Sequence, residues 1–251
     1  MTINDEEIVM QKIVLIIQAR MGSTRLPGKS MKDLAGAPLI VRIIERIKRC
    51  MMPNDIVLAT TEKPEDYILE KTALECQINV FRGSEYDILD RYYQTAKIFS
   101  ADIIVRFPAD NPVPEPREID RIIEYHLTGK CDVSINLEDV LDQGYPAGIG
   151  AEVFNFEVLE DIWQKKADPY LRDDFSLFFY DYKKKKITNP DIYSVGSVQC
   201  PDEIKRPELV LGVDTPEDYQ FIKQLYEDLF PHNPEFTIKD IINWYDSVYS
   251  S

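Results

Sequence analysis

The stretch KIVLIIQARMGSTRLPGKSM, residues 12–31, joins a short apolar run to a long polar loop. KIVLII (12–17) is rich in β-branched residues and is typical of a buried strand. The next clear helix start is Pro38, so roughly twenty residues of loop follow the strand, and loops this long inside an α/β unit are usually functional. The loop also leaves the carboxyl end of a strand, where open α/β sheets bind ligands.

The amino-terminal loop (residues 18–29) is close to the phosphate-binding P-loop GxxxxGK[ST] without matching it. Five residues separate Gly22 from Gly28 where a P-loop has four, and no helix follows directly. The glycines of the loop nevertheless allow its backbone to approach a ligand closely, and the loop also carries hydroxyl groups and positive charge. Together these features suit a triphosphate. The residues concerned are Gly22, Gly28, Ser23, Thr24, Arg20, Arg25 and Lys29. The alternative is a surface loop whose basic residues are only solvated.

Apolar runs alternate with amphipathic stretches through the first half of the chain. Strands are predicted at 12–17, 55–60, 78–81 and 102–107, and helices at 38–50, 64–76 and 87–99. This alternation predicts an α/β fold with a mostly parallel sheet covered by helices on both faces.

The second half is less regular. Strands are predicted at 132–136, 148–154, 192–198 and 209–213, and helices near 155–166, 168–182, 216–229 and 237–248. The run KKKK (183–186) fits a solvated helix end better than a phosphate-binding patch. No linker rich in Gly, Ser or Pro divides the chain, so we expect a single domain over residues 1–251.

Composition narrows the classes of function. The chain of 251 residues carries a formal net charge of −15, which argues against general binding to nucleic acid or to anionic membranes. No apolar run is long enough to span a bilayer, and the acidic first eleven residues lack a signal core, so we expect a cytoplasmic protein.

Cysteine and histidine usage narrows the chemistry further. The four cysteines are widely separated without a CxxC pair, which favours buried free thiols over a metal site. Only two histidines are present, so a His-rich zinc site or a Ser–His–Asp triad is not expected. Chemistry would then rest on carboxylates, Lys, Arg and a hard metal ion.

Two aspartates follow predicted strands. Asp110 closes VRFPAD and Asp214 closes LVLGVD, so both are expected to face the crevice that holds the amino-terminal loop. Mg²⁺ prefers carboxylate and phosphate oxygens, which makes the pair candidate metal ligands. Asp110 could instead organise the turn before Pro112, and Asp214 could cap a helix. Thr215 and Asp218, however, already fit a capping box at that helix start.

Three arginines outside the loop are further candidates. Arg82 ends a predicted strand near the crevice and could contact a bound triphosphate or the carboxylate of a second ligand, and Arg91 on the following helix is a weaker candidate. Arg106 lies inside a buried strand pattern, where an unpaired guanidinium would be costly. We therefore expect Arg106 to have a carboxylate partner, either in the protein or in the ligand.

Five motifs resemble those of the cytidylyltransferases, the family that includes CMP-KDO synthetase, CMP-acylneuraminate synthetase and the spore-coat polysaccharide cytidylyltransferases. They occur in the order and approximate spacing of the spore-coat group, which the chain resembles most, over nearly its whole length. The motifs are QARMGSTRLPGK (18–29), ATTEKPED (59–66), FRGSEYDILDRYYQTA (81–96), VRFPADNPVPEP (105–116) and GVDTPEDY (212–219).

The resemblance implies a Rossmann-like nucleotide-diphospho-sugar transferase fold, with CTP as nucleotide donor and Mg²⁺ as cofactor. CMP would be joined to a sugar acid with release of pyrophosphate. By motif matching, Arg20 and Lys29 would contact phosphate beside Gly22, Ser23 and Arg25, Ala19 would lie near the base, and Asp110 and Asp214 would hold the metal. The nucleotide-binding part would span about 12–130, a sugar-binding and dimerisation part about 131–212, and closing helices 213–251. Relatives commonly form homodimers, and region 130–155 could supply an exchanged arm.

The sugar side departs from the family pattern. Relatives often carry an acidic residue between the Pro and Gly of the segment that here reads YPAGIGAEVF (145–154), where Ala147 stands, with Gly150 further on. A segment that usually reads like REHV is RDDF (172–175), so Asp174 replaces the expected His. Asp110, Asp214 and the amino-terminal loop are retained, which favours a changed sugar pocket over an inactive enzyme.

Two alternatives remain open at this point. The first keeps nucleotidyl transfer but uses another nucleotide or another small-molecule acceptor. The second is a nucleotide-binding partner of a glycan pathway that binds CTP without turnover.

Overall fold

A computed structural model of the chain describes residues 11–137, 140–165 and 168–249. Its strands are β1 (Ile13–Gln18), β2 (Asp33–Leu34), β3 (Ala37–Pro38), β4 (Asp55–Thr61), β5 (Asn79–Gly83), β6 (Ile103–Pro108), β7 (Val133–Ile135), β8 (Glu152–Asn155), β9 (Tyr180–Asp181), β10 (Lys186–Ile187) and β11 (Val195–Gly196). Its α-helices are α1 (Leu39–Ile47), α2 (Tyr67–Glu75), α3 (Ile88–Ile98), α4 (Pro116–His126), α5 (Phe156–Gln164), α6 (Pro169–Asp173), α7 (Pro216–Leu229) and α8 (Ile238–Tyr249). Single 3-10 turns lie at Lys29–Met31, Pro64–Asp66, Phe175–Phe178 and Asp202–Ile204.

Seven strands form one sheet in the order β11-β7-β8-β6-β1-β4-β5. β5, β4, β1 and β6 are parallel, whereas β8 runs antiparallel to both of its neighbours, β6 and β7. The predicted mostly parallel α/β fold is therefore confirmed. Because Gln18 is in register with both Ala59 and Pro108, the carboxyl ends of β1, β4 and β6 meet at one edge of the sheet.

The two faces of β1 bury different helices. Leu15 and Ile17 belong to the cluster that contains α1 and α8, whereas Val14 and Ile16 belong to the cluster that contains α3. All four side chains are fully buried, and burial of each contributes about 1.5–3 kcal/mol relative to exposure. On α1 the predicted apolar face is also fully buried, and it consists of Ile40, Ile43, Ile44 and Ile47. The sheet is thus covered on both sides, as the alternating pattern predicts.

Two predictions in the second half are wrong. The segment 209–213 is not a strand: it makes an isolated bridge, Val210 with Ala147, and Val213 N donates to the carbonyl of Asp110 at 2.7 Å. The segment 168–182 is not one helix, because α6 ends at Asp173 and a 3-10 turn and β9 follow. The backbone of 209–213 is bonded to residues distant in sequence, which local periodicity does not report. The backbone of 168–182 is bonded to nearby residues, and its last part pairs with β10 in a short hairpin instead of continuing a helix.

Two smaller differences concern the run of lysines and a helix that was not predicted. The lysines at 183–186 are not at a helix end; they form the turn between β9 and β10 and begin β10. The helix α4 lies in a segment for which the periodicity made no prediction. The expectations for the first eleven residues concern positions 1–10, which lie outside the described residues, as do residues 138–139 of the suggested exchanged arm and residue 166 of the helix expected near 155–166.

Gly150, one of the departures from the family pattern, is required by packing. A Cβ at this position would overlap the side-chain oxygen and the backbone carbonyl of Asn136. Asn136 is fully buried, donates to Glu118 O at 2.8 Å and accepts from Ala151 N at 2.9 Å, so it cannot move without losing both bonds.

We expect Gly150→Ala to lower the free energy of unfolding by about 2 kcal/mol or more, because overpacking meets backbone and a fixed amide. Urea denaturation measures this. Gly22→Ala is the matched control, since its Cβ would meet only Glu85 Oε1 at 3.9 Å, and we expect a change within about 0.5 kcal/mol. Equal effects of the two substitutions would contradict the packing explanation.

Candidate active site

The amino-terminal loop is fixed at its start by a buried carboxylate. Met21 N donates to Asp66 Oδ1 at 2.7 Å, and the Thr61 hydroxyl donates to the other oxygen of Asp66. Asp66 is 1% exposed, so it is a buried anchor between the loop and the start of α2. The loop then turns back on itself, because Ser23 N and Gly28 N both donate to Met21 O. Gly28 has φ +67°, a conformation that favours glycine.

Lys29 joins the loop to both predicted aspartates. Its ammonium lies 2.9 Å from the carbonyl oxygen of Val213, 3.4 Å from Asp214 Oδ1 and 3.7 Å from Asp110 Oδ2. Arg25 adds a second cation, 2.9 Å from Asp214 Oδ1. The structure therefore brings Asp110 and Asp214 together at the loop, as their positions after two strand-like segments predicted.

The backbone around Asp214 explains why its side chain is free to face Lys29. Asp218 Oδ2 accepts from the N–H groups of Thr215 and Asp214, and Thr215 Oγ1 accepts from Asp218 N, so the predicted capping box is confirmed. Burial acts to raise the pKa of Asp218, but these backbone donors outweigh burial and leave the pKa below its usual value. The cap of α7 thus uses Asp218, and Asp214 is left for the site.

A cavity of about 410 Å³ opens beside the two aspartates. It runs from Arg25 and Asp110 to the side chains of β6, β8 and the segment after α6. The polar residues lining it are Arg25, Arg106, Asp110, Asn111, Glu152, Asp173, Asp174, Ser176, Tyr180, Tyr182, Asp214 and Asp218. The cavity therefore connects the loop with the second half of the chain, where the sugar-binding part is expected.

An ion pair lines the far side of this cavity. Arg106 and Glu152 are neighbours across the antiparallel pair β6·β8, and their side chains form a salt bridge while only 12% and 1% exposed. Ser176 Oγ donates to Glu152 Oε2 at 3.0 Å. Burial acts to lower the pKa of Arg106, but the carboxylate of Glu152 outweighs it and the net pKa is raised. The carboxylate partner expected for Arg106 is thus Glu152.

The other predicted residues lie around the loop rather than in the cavity lining. Arg20 NH1 donates to Glu85 O at 3.4 Å, and Ser23 Oγ accepts from Leu26 N at 3.3 Å. Ala19 is buried, and its N–H donates to Ala59 O at 3.3 Å. Gly22 lies next to the side chain of Glu85. Their contacts with a nucleotide remain predictions.

Arg82 has a different environment. Its guanidinium donates to Thr61 O at 2.9 Å, to Lys63 O at 2.8 Å and to Glu70 Oε2 at 2.9 Å. These bonds fix the chain between β4 and α2, and they use all three nitrogens of the Arg82 guanidinium. Arg82 therefore holds the segment that carries Asp66, and its contact with the nucleotide stays a prediction. Asp66 itself was not predicted, because the Pro-Glu-Asp pattern indicates a helix start equally well.

The donor set for a metal is small. Among the described residues no group of three or more His, Cys, Asp or Glu side chains could hold a metal ion. The side chains of Asp110 and Asp214 are 39% and 43% exposed, so two oxygen donors face the cavity, and further ligands would have to come from phosphate and water. The four cysteines are free thiols, but only Cys200 is buried as expected, whereas Cys50, Cys76 and Cys131 are half-buried. No helix in the described part of the chain is long and apolar enough to cross a membrane.

Comparisons with known proteins show which sequences and folds this chain resembles. The sequence model of the family described as Cytidylyltransferase matches residues 14–236. The spore coat polysaccharide biosynthesis protein SpsF of Bacillus subtilis is 34% identical over 222 residues, which are 87% of this chain and 88% of that protein. A solved cytidylyltransferase from Leptospira borgpetersenii superposes with a TM-score of 0.84 at 28% identity, over 96% of each chain. The structure of CMP:2-keto-3-deoxy-manno-octonic acid synthetase complexed with CTP has a TM-score of 0.62 at 18% identity, over 86% of this chain and 99% of that one.

We expect Arg106→Met to lower the free energy of unfolding by about 3–5 kcal/mol, because Glu152 would be left buried and unpaired. The double variant Arg106→Met/Glu152→Leu should recover much of that loss. Denaturant unfolding measures both. Lys239→Met is the control: it breaks an ion pair with Glu203 whose partners are each 58% exposed, and a change below about 1 kcal/mol is expected. If Arg106→Met lowered the free energy of unfolding as little as the control does, Arg106 and Glu152 would not form a buried ion pair.

We expect Asp66→Ala to release the amino-terminal loop, because Met21 N loses its acceptor and Thr61 loses a buried partner. Trypsin cleaves after Arg20, Arg25 and Lys29, so limited proteolysis reports this opening directly. Loss of an anchor contributing about 1–3 kcal/mol predicts cleavage in the loop roughly five to a hundred times faster. Asp191→Ala, at an exposed turn, should leave the rate unchanged. A rate equal to that of the parent chain would show that Asp66 does not hold the loop.

Proposed function

This chain belongs to the cytidylyltransferase family, and we propose that it transfers CMP from CTP to an acidic sugar, with release of pyrophosphate. The family makes the chain a nucleotidyltransferase. The observation that carries the proposal is the meeting of Asp110 and Asp214 at the ammonium of Lys29, at the mouth of the cavity. The names of two similar proteins support the assignment of substrates. One name refers to polysaccharide biosynthesis, and the other refers to CTP and a sugar acid.

The reaction determines which groups are needed. An acceptor hydroxyl oxygen bonds to the α-phosphorus of CTP, the bond from that phosphorus to the pyrophosphate oxygen breaks, and the hydroxyl proton passes to solvent. The leaving group is highly charged, so the protein must align two substrates and neutralise charge. Lys29, Arg25 and Arg20 are the cations around the loop, and we assign Lys29 and Arg20 to the phosphates with Arg25 beside them.

Asp110 and Asp214 fit a divalent cation. Both are oxygen donors, both are partly exposed to the cavity, and both already face a cation, the ammonium of Lys29. When bound there, Mg²⁺ would supply charge neutralisation and orientation of the phosphate oxygens. Lys29, held by the carbonyl of Val213, keeps the two carboxylates close in the absence of that ion. No imidazole lines the cavity: His126 is buried between Ser134 and Asn155, and His232 is exposed.

The second half of the cavity is assigned to the acceptor. Ser176, Tyr180 and Tyr182 bring hydroxyl groups, and Arg106 brings a cation for the carboxylate of the sugar. Ala147 and Asp174, two of the three departures from the family pattern, both line this cavity. We propose that residues at about 12–130 bind the nucleotide, that about 131–212 bind the sugar and form a homodimer contact, and that the protein acts in the cytoplasm.

The proposal is tested by incubating the chain with Mg²⁺, one of CTP, UTP, GTP or ATP, and a panel of ulosonic and nonulosonic acids, and by measuring pyrophosphate. We expect release with CTP and at least one sugar acid. Pyrophosphate release with another nucleotide and not with CTP would show that CTP is not the donor. Binding of CTP by calorimetry without pyrophosphate from any acceptor would indicate a nucleotide-binding partner instead of an enzyme.

We expect Asp110→Ala and Asp214→Ala each to lower kcat/KM by roughly 10²–10³-fold or more, because each removes charge-stabilising ligand oxygens from the transition state. Pyrophosphate release at saturating CTP and varied Mg²⁺ measures the effect, and the apparent Mg²⁺ requirement should rise in both variants. Asp191→Ala serves as the control with parental activity. Full turnover by either active-site variant would make the metal assignment wrong.

A further inference from the structure

Asn111 is a buried polar residue of the cavity whose side chain has no partner in the site described above. It follows Asp110 directly, lines the cavity and is only 7% exposed. Its backbone N–H donates to Pro108 O at 3.3 Å, but its side-chain amide makes no hydrogen bond with any described residue. A buried amide normally has a hydrogen-bond partner, so an unpaired one in a substrate cavity indicates a partner in the ligand.

The amide of Asn111 is within reach of a ligand. Neither of its two polar atoms is among the unpaired side-chain atoms that the described part of the protein encloses fully. A Cβ on Gly148 would lie 2.7 Å from the amide oxygen, and a Cβ on Gly212 would lie 3.2 Å from the same atom. One side of the amide therefore packs against the backbone of two glycines, and the other side is the one that remains open.

The turn around Asn111 does not need this side chain. Asparagine is common in turns because it adopts positive φ or bonds to nearby backbone, but Asn111 is not among the described residues with positive φ, and its amide bonds to no described backbone group. Other groups fix the turn. Val213 N donates to Asp110 O at 2.7 Å, and the Tyr226 hydroxyl donates to Pro112 O at 2.8 Å. The amide is thus available for a ligand.

The surroundings of Asn111 indicate which ligand group it binds. Gly148 and Gly212, which contact the amide, both belong to the region that we assign to the acceptor, whereas Lys29 and Arg25 on the amino-terminal loop are assigned to the phosphates. Phosphate oxygens carry full negative charge and are bound best by cations. A neutral amide can both donate to and accept from a hydroxyl, which also donates and accepts. A hydroxyl of the acceptor is therefore the matching group.

We propose that Asn111 is an acceptor-binding residue whose amide forms a hydrogen bond with a hydroxyl group of the acceptor. Because Asn111 directly follows Asp110, this contact orients the acceptor close to the proposed metal site, and such orientation increases the rate of transfer. The inference rests on the proposed function and adds a substrate-binding residue that the sequence analysis did not single out.

The experiment combines one substitution with a set of acceptor analogues. An acceptor that the parent chain uses is assayed with CTP, Mg²⁺ and pyrophosphate detection, beside analogues that each lack one hydroxyl other than the attacking one. We expect Asn111→Ala to lower kcat/KM for the complete acceptor roughly five- to a hundredfold, because one hydrogen bond to the ligand is lost. One analogue should cost the parent chain a similar factor. The same analogue should cost Asn111→Ala less than about twofold, because the contact is already absent.

Controls separate a ligand contact from a structural effect. CTP affinity measured by calorimetry without acceptor and the urea midpoint of unfolding should both stay at the parental value in Asn111→Ala. Asn79→Ala removes an exposed amide on β5, so it should keep the parental kcat/KM for every acceptor.

The outcomes distinguish this inference from the proposed function. Parental kcat/KM in Asn111→Ala would overturn the inference and leave the proposed function in place. Weaker CTP binding by Asn111→Ala would also overturn the inference alone, and so would an equal further loss by parent and variant on every analogue, because the amide would then act on the nucleotide or on the fold. Absence of pyrophosphate from the parent chain with every acceptor would overturn the proposed function and the inference together.

Discussion

The ammonium of Lys29 is the interaction on which the candidate site depends. Two carboxylates from distant parts of the sequence repel each other when they are brought together, and in this chain 44 acidic side chains outnumber 29 basic ones. Lys29 lies within 4 Å of Asp110 and Asp214 and donates to the carbonyl of Val213, so one side chain connects three segments. The carboxylates can therefore stay together before any substrate or metal arrives.

The fold supplies what Lys29 needs. The parallel strands β1, β4 and β6 end at one edge, which places the loop after β1 beside Asp110 after β6. The segment 209–213 reaches the same edge without joining the sheet, because Val213 N donates to Asp110 O. The capping box at α7 then fixes the backbone on the far side of Asp214. At the other end of the loop, Asp66 holds Met21, so the loop is tied down on both sides of its glycines.

The parts of this arrangement that could be predicted from the sequence are those with a local cause. β1 and α1 follow from periodicity, the capping box from residue types at fixed spacing, and the proximity of Asp110 and Asp214 from their places after strand-like segments. The partner of Arg106 could be predicted in kind, since a buried guanidinium needs a carboxylate, but Glu152 could not be named. Asp66 could not be predicted, because it binds Met21 N, which is 45 positions away in the sequence. The path of 168–182 could not be predicted either, because the amphipathic pattern does not show that a 3-10 turn and the β9–β10 hairpin follow α6.

The same distinction applies to the two ends of the cavity. At the end that we assign to the nucleotide, Lys29 and Arg25 face Asp110 and Asp214, and the order of the motifs supports that assignment. At the end assigned to the acceptor, Arg106 on β6 and Glu152 on β8 form a buried pair, and Ser176 after α6 donates to Glu152. A pair of this kind adds little net stability over apolar packing, but removal of one partner is costly, so each partner fixes the position of the other. This end of the cavity is therefore determined by contacts between β6, β8 and the turn after α6, which no local sequence pattern reports.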